Sequence, residues 1–298
     1  MQLSCDDVAR RDLHKARRPA CDQQVTDGTT GLDLDAVRDG LEAAVEAANE
    51  AIRTIIAQDT MRVGHKPGEG PVTEADHAAD DVLHERLMPL IKDAHWISEE
   101  SKQADPMIYG EPTWVVDPLD GTREFLRGLP EYGVSVGLFV GDELVLGAVG
   151  LPVHYPENGS VISGLVDGDR REARQDGELL AALEPRQEVR KVVVSRHDYE
   201  WRELQYQIPY ETYPCGSAAV KLVHAAIGQA DVYFSTGPRS VWDVAGGVAI
   251  LEAVGGSLLM INGERLELSP QQISIPPYVA GIEGSCLTLL RRLAPRLS

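Results

Sequence analysis

The chain of 298 residues is 43% hydrophobic and carries 47 acidic against 28 basic residues, a formal net charge of −19. This composition predicts a globular protein with a core large enough for one large domain or two closely packed sub-domains. The negative charge would repel a polyanion such as DNA from most of the surface, which argues against a nucleic-acid-binding protein.

The cysteines and the apolar runs argue against further classes. Cys5, Cys21, Cys215 and Cys286 form no C-x-x-C pair. Neither a zinc site nor a disulfide framework is therefore indicated, and we expect reduced thiols in a cytoplasmic protein. The apolar runs are far shorter than the roughly 20 residues of a membrane span. Residues 1–32 mix basic and acidic residues without periodic apolar positions, which predicts a disordered N-terminal arm rather than a transit peptide.

The first half of the chain predicts two helices followed by strands. Apolar positions from Leu34 to Ile55 recur at helical spacing, with Asp33 or Asp35 as the N-cap. The glycine- and proline-rich segment 63–71 predicts a mobile loop. A second helix is expected from Thr73 to about Pro89. Strands are then predicted at 95–98, 113–116, 133–141 and 143–150, the last two as a hairpin.

In the second half, which begins near Pro185, strands and helices alternate. The predicted strands are 191–195, 231–235 and 257–261, and the predicted helices lie around Glu200, at 217–227 and at 241–254. We therefore expect an α+β sub-domain over 33–185 and an α/β sub-domain over 186–298, with the active site between them.

The stretch D-P-L-D-G-T, Asp117–Thr122, predicts a metal and phosphate site. Asp117 ends an apolar run, and Pro118 is expected to stop that run from continuing as a central strand. In the resulting turn, Asp117 and Asp120 flank the Leu119 carbonyl, so three hard oxygen atoms can converge as Mg²⁺ requires. The Gly-Thr pair then opens a helix, whose N–H groups suit a phosphate.

The same composition is also typical of an ordinary turn, so this motif alone leaves both interpretations open. Three other elements favour the functional one. Glu99 and Glu100 follow a predicted strand, and V-T-E-A-D, Val72–Asp76, begins the second helix. Asp243 stands at the start of an apolar helix among small residues that permit close approach of another element, although it could simply cap that helix.

Together, in this order, these elements resemble the inositol monophosphatase family of lithium-sensitive, magnesium-dependent phosphatases. The match runs from about Asp33 to the C-terminus and rests on D-P-L-D-G-T, on the pair Glu99-Glu100 and on W-D-x-A-G at Trp242–Gly246. The resemblance implies an α+β or α/β fold, a layered αβαβα sandwich of the inositol monophosphatase and fructose-1,6-bisphosphatase type. It also implies hydrolysis of a small soluble phosphomonoester with two or three Mg²⁺ ions.

The resemblance assigns roles to residues at the matched positions. It implies that one metal is held by Glu99, Asp117 and the Leu119 carbonyl, and a second by Asp117, Asp120 and Asp243. Asp76 would act through water on a looser third ion, and Glu99 and Thr122 would orient the attacking water. The implied substrate contacts are Asp120, Gly121, Thr122, Ser217 and Lys221.

Two substrates compete, and adenosine 3',5'-bisphosphate is favoured. The G-P-x-S before the W-D motif resembles the 3'(2'),5'-bisphosphate nucleotidases, and Lys221 matches a lysine that could pair with a second phosphate. Thr236 stands where inositol monophosphatases tend to have a glutamate. However, Gly216–Val220 reads like their G-[ST]-A-A-V, so inositol-1-monophosphatase is the second candidate.

Two more functions fit the same motifs: a sugar phosphatase like fructose-1,6-bisphosphatase, and a non-enzymatic regulator that binds metal or phosphate. The presence of every expected metal carboxylate favours an enzyme. Bisphosphate nucleotidases usually show K-x-D-x-S-P-V-T in the loop, where this chain has Gly68 and Gly70 at the Asp and Ser positions. Occupancy of the third metal site is thus open, although Glu69 could substitute. Because family members are often dimers, a homodimer is among the expected arrangements, without nucleic acid or membrane as partner.

Overall fold

A computed structural model of the chain describes residues 31–58, 62–66, 70–100, 110–153 and 159–297. The predicted N-terminal arm lies almost entirely outside these residues, as do Gly68 and Glu69. The helices are α1 (Leu34–Ile56), α2 (Glu74–Leu87), α3 (Thr122–Leu126), α4 (Arg196–Glu200), α5 (Ala218–Ala226), α6 (Val241–Ala253) and α7 (Glu283–Leu297). Within the described residues, no helix is both long enough and apolar enough to cross a membrane.

The strands are more numerous than the sequence predicted. Those of the first half are β1 (Val63–Lys66), β2 (Gly70–Thr73), β3 (His95–Ser98), β4 (Pro112–Asp120), β5 (Gly133–Val140), β6 (Glu143–Leu151), β7 (Ser160–Asp167), β8 (Arg170–Gln175) and β9 (Glu178–Leu179). Those of the second half are β10 (Lys191–Ser195), β11 (Glu211–Cys215), β12 (Val232–Ser235), β13 (Arg239–Ser240), β14 (Ser257–Met260), β15 (Ser274–Ile275) and β16 (Tyr278–Gly281).

Local capping explains where the first two helices begin. The Asp33 side chain accepts a hydrogen bond from the Ala36 amide at 3.1 Å and caps α1. At α2, the Thr73 hydroxyl accepts from the Ala75 amide at 3.1 Å, and the Asp76 carboxylate accepts from the Thr73 amide at 2.7 Å. This reciprocal arrangement is a capping box, and it confirms the predicted helix start at Thr73.

The segment predicted as a mobile loop contains regular structure instead. Strands β1 and β2 pair antiparallel, with Val63 opposite Thr73 and Gly64 opposite Val72. A two-stranded ribbon has only edge strands, and edge strands tolerate glycine and proline. The composition of 63–71 therefore did not exclude pairing, and the prediction of a loop was wrong for the described part.

Seven strands, β3 to β9, form one sheet in sequence order, with β3 parallel to β4 and the remaining pairs antiparallel. The expectation that Pro118 ends the strand was wrong, because β4 continues to Asp120. Its register against β5 shifts between the pairs Asp117–Ser135 and Asp120–Gly133. This bulge leaves extra residues on β4 unpaired, so the missing N–H of Pro118 costs no ladder hydrogen bond.

The second sheet has five strands in the order β11-β10-β12-β16-β14, the first three of them parallel. Helices α1 and α2 pack on one face of the seven-stranded sheet and α6 packs on the other. Helix α5 lies against α6 and the five-stranded sheet, which α7 also contacts. Helices and sheets thus alternate as α, β, α, β and α layers, the architecture expected from the sequence. The proposed sub-domain limits at 33–185 and 186–298 stay a prediction.

Helix α6 approaches the seven-stranded sheet unusually closely, because glycines line the contact. A Cβ added to Gly246 would lie 2.5 Å from the Ala148 carbonyl oxygen, and one on Gly164 would lie 2.5 Å from the Ala249 carbonyl oxygen. The Ser135 hydroxyl also donates to the Trp242 carbonyl at 2.8 Å. The first turn of α6, which carries Asp243, is therefore held against β5.

We predict that Gly246→Ala destabilises the protein by about 1–3 kcal/mol, the usual cost of overpacking a tight core. The added methyl meets backbone atoms, which cannot rotate away. Chemical denaturation measures the change. Gly237→Ala is the control, since its Cβ would meet no atom within 4 Å. Equal stability of the two variants would contradict the close approach.

Candidate active site

Most of the predicted site residues line one cavity of about 1050 Å³. Its lining includes Glu99, Asp117, Leu119, Asp120, Gly121, Thr122 and Asp243. Residues 195–198, Arg202, Thr236, Gly237 and Arg239 line other parts of its wall. The two halves of the chain therefore both contribute to it.

Three carboxylates converge at one place in this cavity. One carboxylate oxygen each from Glu99, Asp117 and Asp243 lies within 4.8 Å of the other two. Backbone contacts place them: the Glu99 amide donates to the Val116 carbonyl at 3.1 Å, which extends the pairing of β3 with β4 by one residue. The Asp117 carboxylate accepts from the Leu119 amide at 3.0 Å within the bulge. We refer to Glu99, Asp117 and Asp243 as the acidic cluster.

Burial and the repulsion of neighbouring carboxylates raise the pKa of Asp117 and of Asp243. For Asp117, burial raises the pKa well above its usual value, and the negative charges of Glu99, Asp120 and Asp243 raise it further. For Asp243, burial and then the charge of Asp120 raise the pKa to about 8. One buried and two half-buried carboxylates in this arrangement favour a bound cation, and their all-oxygen donor set suits Mg²⁺. The residues present thus fit the metal implied by the family.

Asp120 is held next to the acidic cluster by the other half of the chain. Its Oδ2 accepts from the Ser217 hydroxyl at 2.6 Å and from the Ala219 amide at 2.7 Å, both at the start of α5. Asp120 does not belong to the group of three converging oxygens. Its charge nevertheless acts on Asp117 and Asp243.

Thr122 lines the cavity, and its hydroxyl lies within hydrogen-bond distance of Asp76, which is buried behind it and is not part of the lining. The Thr122 hydroxyl lies 3.1 Å from Asp76 Oδ1 and 3.1 Å from the Leu119 carbonyl oxygen, and it can donate its one proton to either. Asp76 Oδ2 is fixed by the amide and hydroxyl of Thr73 at 2.7 and 2.6 Å. Burial raises the pKa of Asp76 above its usual value. The capping box of α2 therefore orients a carboxylate predicted to be catalytic.

Gly121 permits the sharp change of direction between β4 and α3. It has φ of 100°, and a Cβ there would lie 2.7 Å from the Glu131 carbonyl oxygen. Any other residue would be strained at this position. The backbone conformation thus requires glycine at this position of D-P-L-D-G-T.

Two predicted substrate contacts are placed differently from expectation. Ser217 is fully buried, and its hydroxyl donates to Asp120 and accepts from the Val220 amide at 3.0 Å. Lys221 is also fully buried, and its ammonium donates to three backbone carbonyls rather than facing the cavity. A lysine whose donors are all used cannot pair with a second phosphate, so that expectation for Lys221 is corrected.

Sequence reasoning did not single out several residues of the cavity wall. They are Arg123, Glu124, Arg196, His197, Asp198, Arg202 and Arg239. Arg196 pairs with Glu131 and Glu200, and Arg202 lies 3.4 Å from Asp198. The signal for residues 196–198 was their position directly after the buried strand β10, where side chains meet a site at the sheet edge.

Comparison with known proteins agrees with this geometry. The model of the inositol monophosphatase family matches residues 33–288. The chain belongs to the inositol monophosphatase family. It is therefore a phosphatase that hydrolyses phosphomonoesters, a member of a metal-dependent family with a cluster of acidic residues that could bind a metal.

Relatives with two different names match about equally well. Inositol monophosphatase 3 of Solanum lycopersicum is 31% identical over 244 residues, covering 78% of this chain and 90% of its own. The 3'(2'),5'-bisphosphate nucleotidase CysQ of Salmonella typhimurium is 33% identical over 225 residues, covering 73% and 87%. A solved IMPase from Thermotoga maritima has a TM-score of 0.71 at 20% identity, covering 87% of this chain and 97% of that one, which confirms the fold.

We predict that Asp243 makes the thermal stability of the metal-free protein fall as pH rises from about 4 to 8. The folded protein keeps a proton on Asp243 up to about pH 8, whereas the unfolded chain releases it near 3.8. The unfolded state thus binds fewer protons in this window, and stability decreases with pH. Asp243→Asn should flatten this slope.

The measurement is the melting temperature of chelator-treated protein at several pH values, with and without Mg²⁺. Mg²⁺ should stabilise the wild type more at pH 8 than at pH 5, since it must displace protons from its ligands. Asp169→Asn, on the turn between β7 and β8, is the control. Identical slopes for wild type and Asp243→Asn would contradict the role of the acidic cluster.

Proposed function

We propose that this phosphatase is Mg²⁺-dependent and acts on a small phosphomonoester carrying a second anionic group, with adenosine 3',5'-bisphosphate as the favoured substrate. The observation that supports the substrate class is the position of Arg239, which lines the same cavity as the acidic cluster. Arg239 belongs to the G-P-x-S that precedes the W-D motif. It replaces Lys221 as the residue expected to meet a second phosphate.

The metal residues of the proposal are Glu99, Asp117, the Leu119 carbonyl, Asp120 and Asp243. When bound there, Mg²⁺ would polarise the phosphoryl group and activate water for attack. The chain's own contribution is orientation: strand ends hold Glu99 and Asp117, and α6 holds Asp243 against them. Lithium inhibition is expected, as for the family.

The proton path of the proposal runs through Thr122 and Asp76. The Thr122 hydroxyl can accept a proton from an attacking water while passing its own to Asp76 Oδ1, 3.1 Å away. Asp76 has a raised pKa, which favours its accepting that proton. Glu99, on the other side, would orient the water, and the Gly121-Thr122 backbone would face the phosphate.

The charges of the wall favour a second anionic group over a ring of hydroxyls. Arg196 and Arg202 are paired with carboxylates, whereas Arg239 donates to the Pro238 carbonyl at 3.1 Å and to the Tyr233 side chain, with the charge of Asp243 acting on it. The Thr236 hydroxyl donates to Asp198 at 2.7 Å and accepts from Arg202 at 3.0 Å. The Thr236 hydroxyl therefore already bonds to other side chains, at the position where inositol monophosphatases tend to have a glutamate.

Inositol 1-phosphate is the second candidate, because the G-S-A-A-V stretch and the tomato relative both favour it. The deciding experiment compares kcat/KM for adenosine 3',5'-bisphosphate and inositol 1-phosphate on one preparation. We expect the bisphosphate to be preferred by at least about tenfold. A better rate with inositol 1-phosphate would decide for the second candidate.

A cytoplasmic location and a homodimer stay predictions.

Arg239→Met should lower kcat/KM for adenosine 3',5'-bisphosphate by about 10- to 100-fold, the value of a charge-assisted hydrogen bond. It should lower kcat/KM for adenosine 3'-monophosphate, which lacks the second phosphate, by a smaller factor that reflects only the effect of Arg239 on Asp243. Arg171→Met is the matched control, since Arg171 also donates to a carbonyl, that of Glu252 at 2.9 Å, outside the cavity lining. Equal losses on both substrates would contradict a contact with the second phosphate.

We predict that Asp117→Asn lowers kcat by about 100-fold or more, at least the loss seen on removing one stabilising donor from an active site. The metal-free variant should be as stable as the wild type or more stable, because one buried repulsive charge is gone. Steady-state kinetics at saturating Mg²⁺ and thermal melting measure both effects. Retention of a tenth of the rate, or full wild-type activity in excess chelator, would overturn the proposal.

A further inference from the structure

Lys221 lies on α5 with no exposed surface, and its ammonium makes an unusual set of hydrogen bonds. Its Nζ donates to the carbonyl oxygens of Cys215 at 3.0 Å, Gly216 at 2.7 Å and Ser217 at 2.7 Å. An ammonium has three N–H donors, so all of them are used. The Nζ also lies 5.1 Å from the centre of the Tyr233 ring, whose face attracts a cation.

The three carbonyls belong to the turn between β11 and α5, which we call the 215–217 turn. The same turn holds Asp120, through the Ser217 hydroxyl at 2.6 Å and, one residue into α5, through the Ala219 amide at 2.7 Å. Glu131 also contacts this turn. Its carboxylate accepts a hydrogen bond from the Gly216 amide at 2.9 Å, and its backbone carbonyl accepts one from the Ser217 amide at 3.1 Å. The turn is therefore fixed by hydrogen bonds to both Glu131 and Lys221.

Removal of the ammonium would take this donor from the buried carbonyls of Cys215 and Gly216, whereas the Ser217 carbonyl would keep the Lys221 amide at 3.3 Å. Such groups each cost free energy when unsatisfied, and the backbone would rotate to relieve them. Rotation of the 215–217 turn would move the Ser217 hydroxyl and the Ala219 amide together. Asp120 would lose both of its donors on Oδ2 at once.

We propose that Lys221 is a positioning residue for the metal site: it fixes the 215–217 turn, and the turn fixes Asp120 beside the acidic cluster. Lys221 then acts on metal affinity without touching substrate. This inference rests on the proposed function, because it takes Asp120 as a metal ligand. Partners that orient a ligand in this way typically change metal affinity by 10- to 100-fold when removed.

The test compares Lys221→Met with the matched control Lys191→Met. Lys191 also lies over a tyrosine ring, 5.7 Å from the centre of Tyr213, but it pairs with Glu211 and does not contact the 215–217 turn. Isothermal titration calorimetry of the metal-free proteins with Mg²⁺, in the absence of substrate, is the readout. We expect Lys221→Met to weaken Mg²⁺ binding by at least about tenfold and Lys191→Met to leave it unchanged.

Kinetics then separate positioning from contact with substrate. In Lys221→Met, the Mg²⁺ concentration for half-maximal activity should rise. The ratio of kcat/KM for adenosine 3',5'-bisphosphate over adenosine 3'-monophosphate should stay at its wild-type value. A drop in that ratio would mean that Lys221 contacts the second phosphate and would overturn the inference. Ser217→Ala should weaken Mg²⁺ binding in the same way, and the double variant should add little to either single one.

If Lys221→Met does not fold, Lys221→Arg carries the test. It keeps the buried charge, but a planar guanidinium cannot point three donors at one cluster of carbonyls. Its Mg²⁺ affinity should fall in the same direction while its circular dichroism spectrum stays native. Wild-type Mg²⁺ affinity in a folded Lys221 variant would overturn the inference alone. Failure of the wild type to bind Mg²⁺ would instead overturn the proposed function, and this inference with it.

Discussion

Repulsion among buried carboxylates is the constraint on which the rest of the site depends. Asp117 is buried and Asp243 half-buried beside it, and like charges interact more strongly there than at an open surface. A single flexible loop would relieve this repulsion by moving one group away. In this protein each carboxylate is fixed on a different packed element, so the repulsion persists until a cation or a proton relieves it.

Each fixing element has its own physical cause. The bulge in β4 points Asp117 into the cavity, and the glycine contact between α6 and the sheet brings Asp243 up to it. Asp120 depends on the start of α5, which belongs to the second half of the chain. Because these contacts join different layers, the site is complete only when the layers have packed. The tight core and the candidate metal site therefore depend on the same contacts.

The sequence predicted what depends on neighbours in the chain. Helix periodicity and the caps at Asp33 and Thr73 are local features, and the structure places them as expected. The D-P-L-D-G-T motif is also local, and all of its residues except Pro118 line the cavity. The continuation of β4 past Pro118 depends on pairing with β5, which local sequence does not encode. Strand β8, with the sequence RREARQ, has no alternation of apolar residues, so its pairing with β7 was missed. Lysine is usually exposed, so only tertiary packing shows that Lys221 is buried.

Different parts of the cavity are proposed for hydrolysis and for substrate specificity. In the proposed function, the acidic cluster and the Thr122–Asp76 pair would carry the groups that any phosphomonoester needs, whereas the wall around Arg239 would meet the part of the substrate that differs between compounds. With a net charge of −19, the protein as a whole repels an anionic substrate. Binding therefore depends on local positive charge, and the arginines of the wall, together with a bound cation, are where that charge can be supplied.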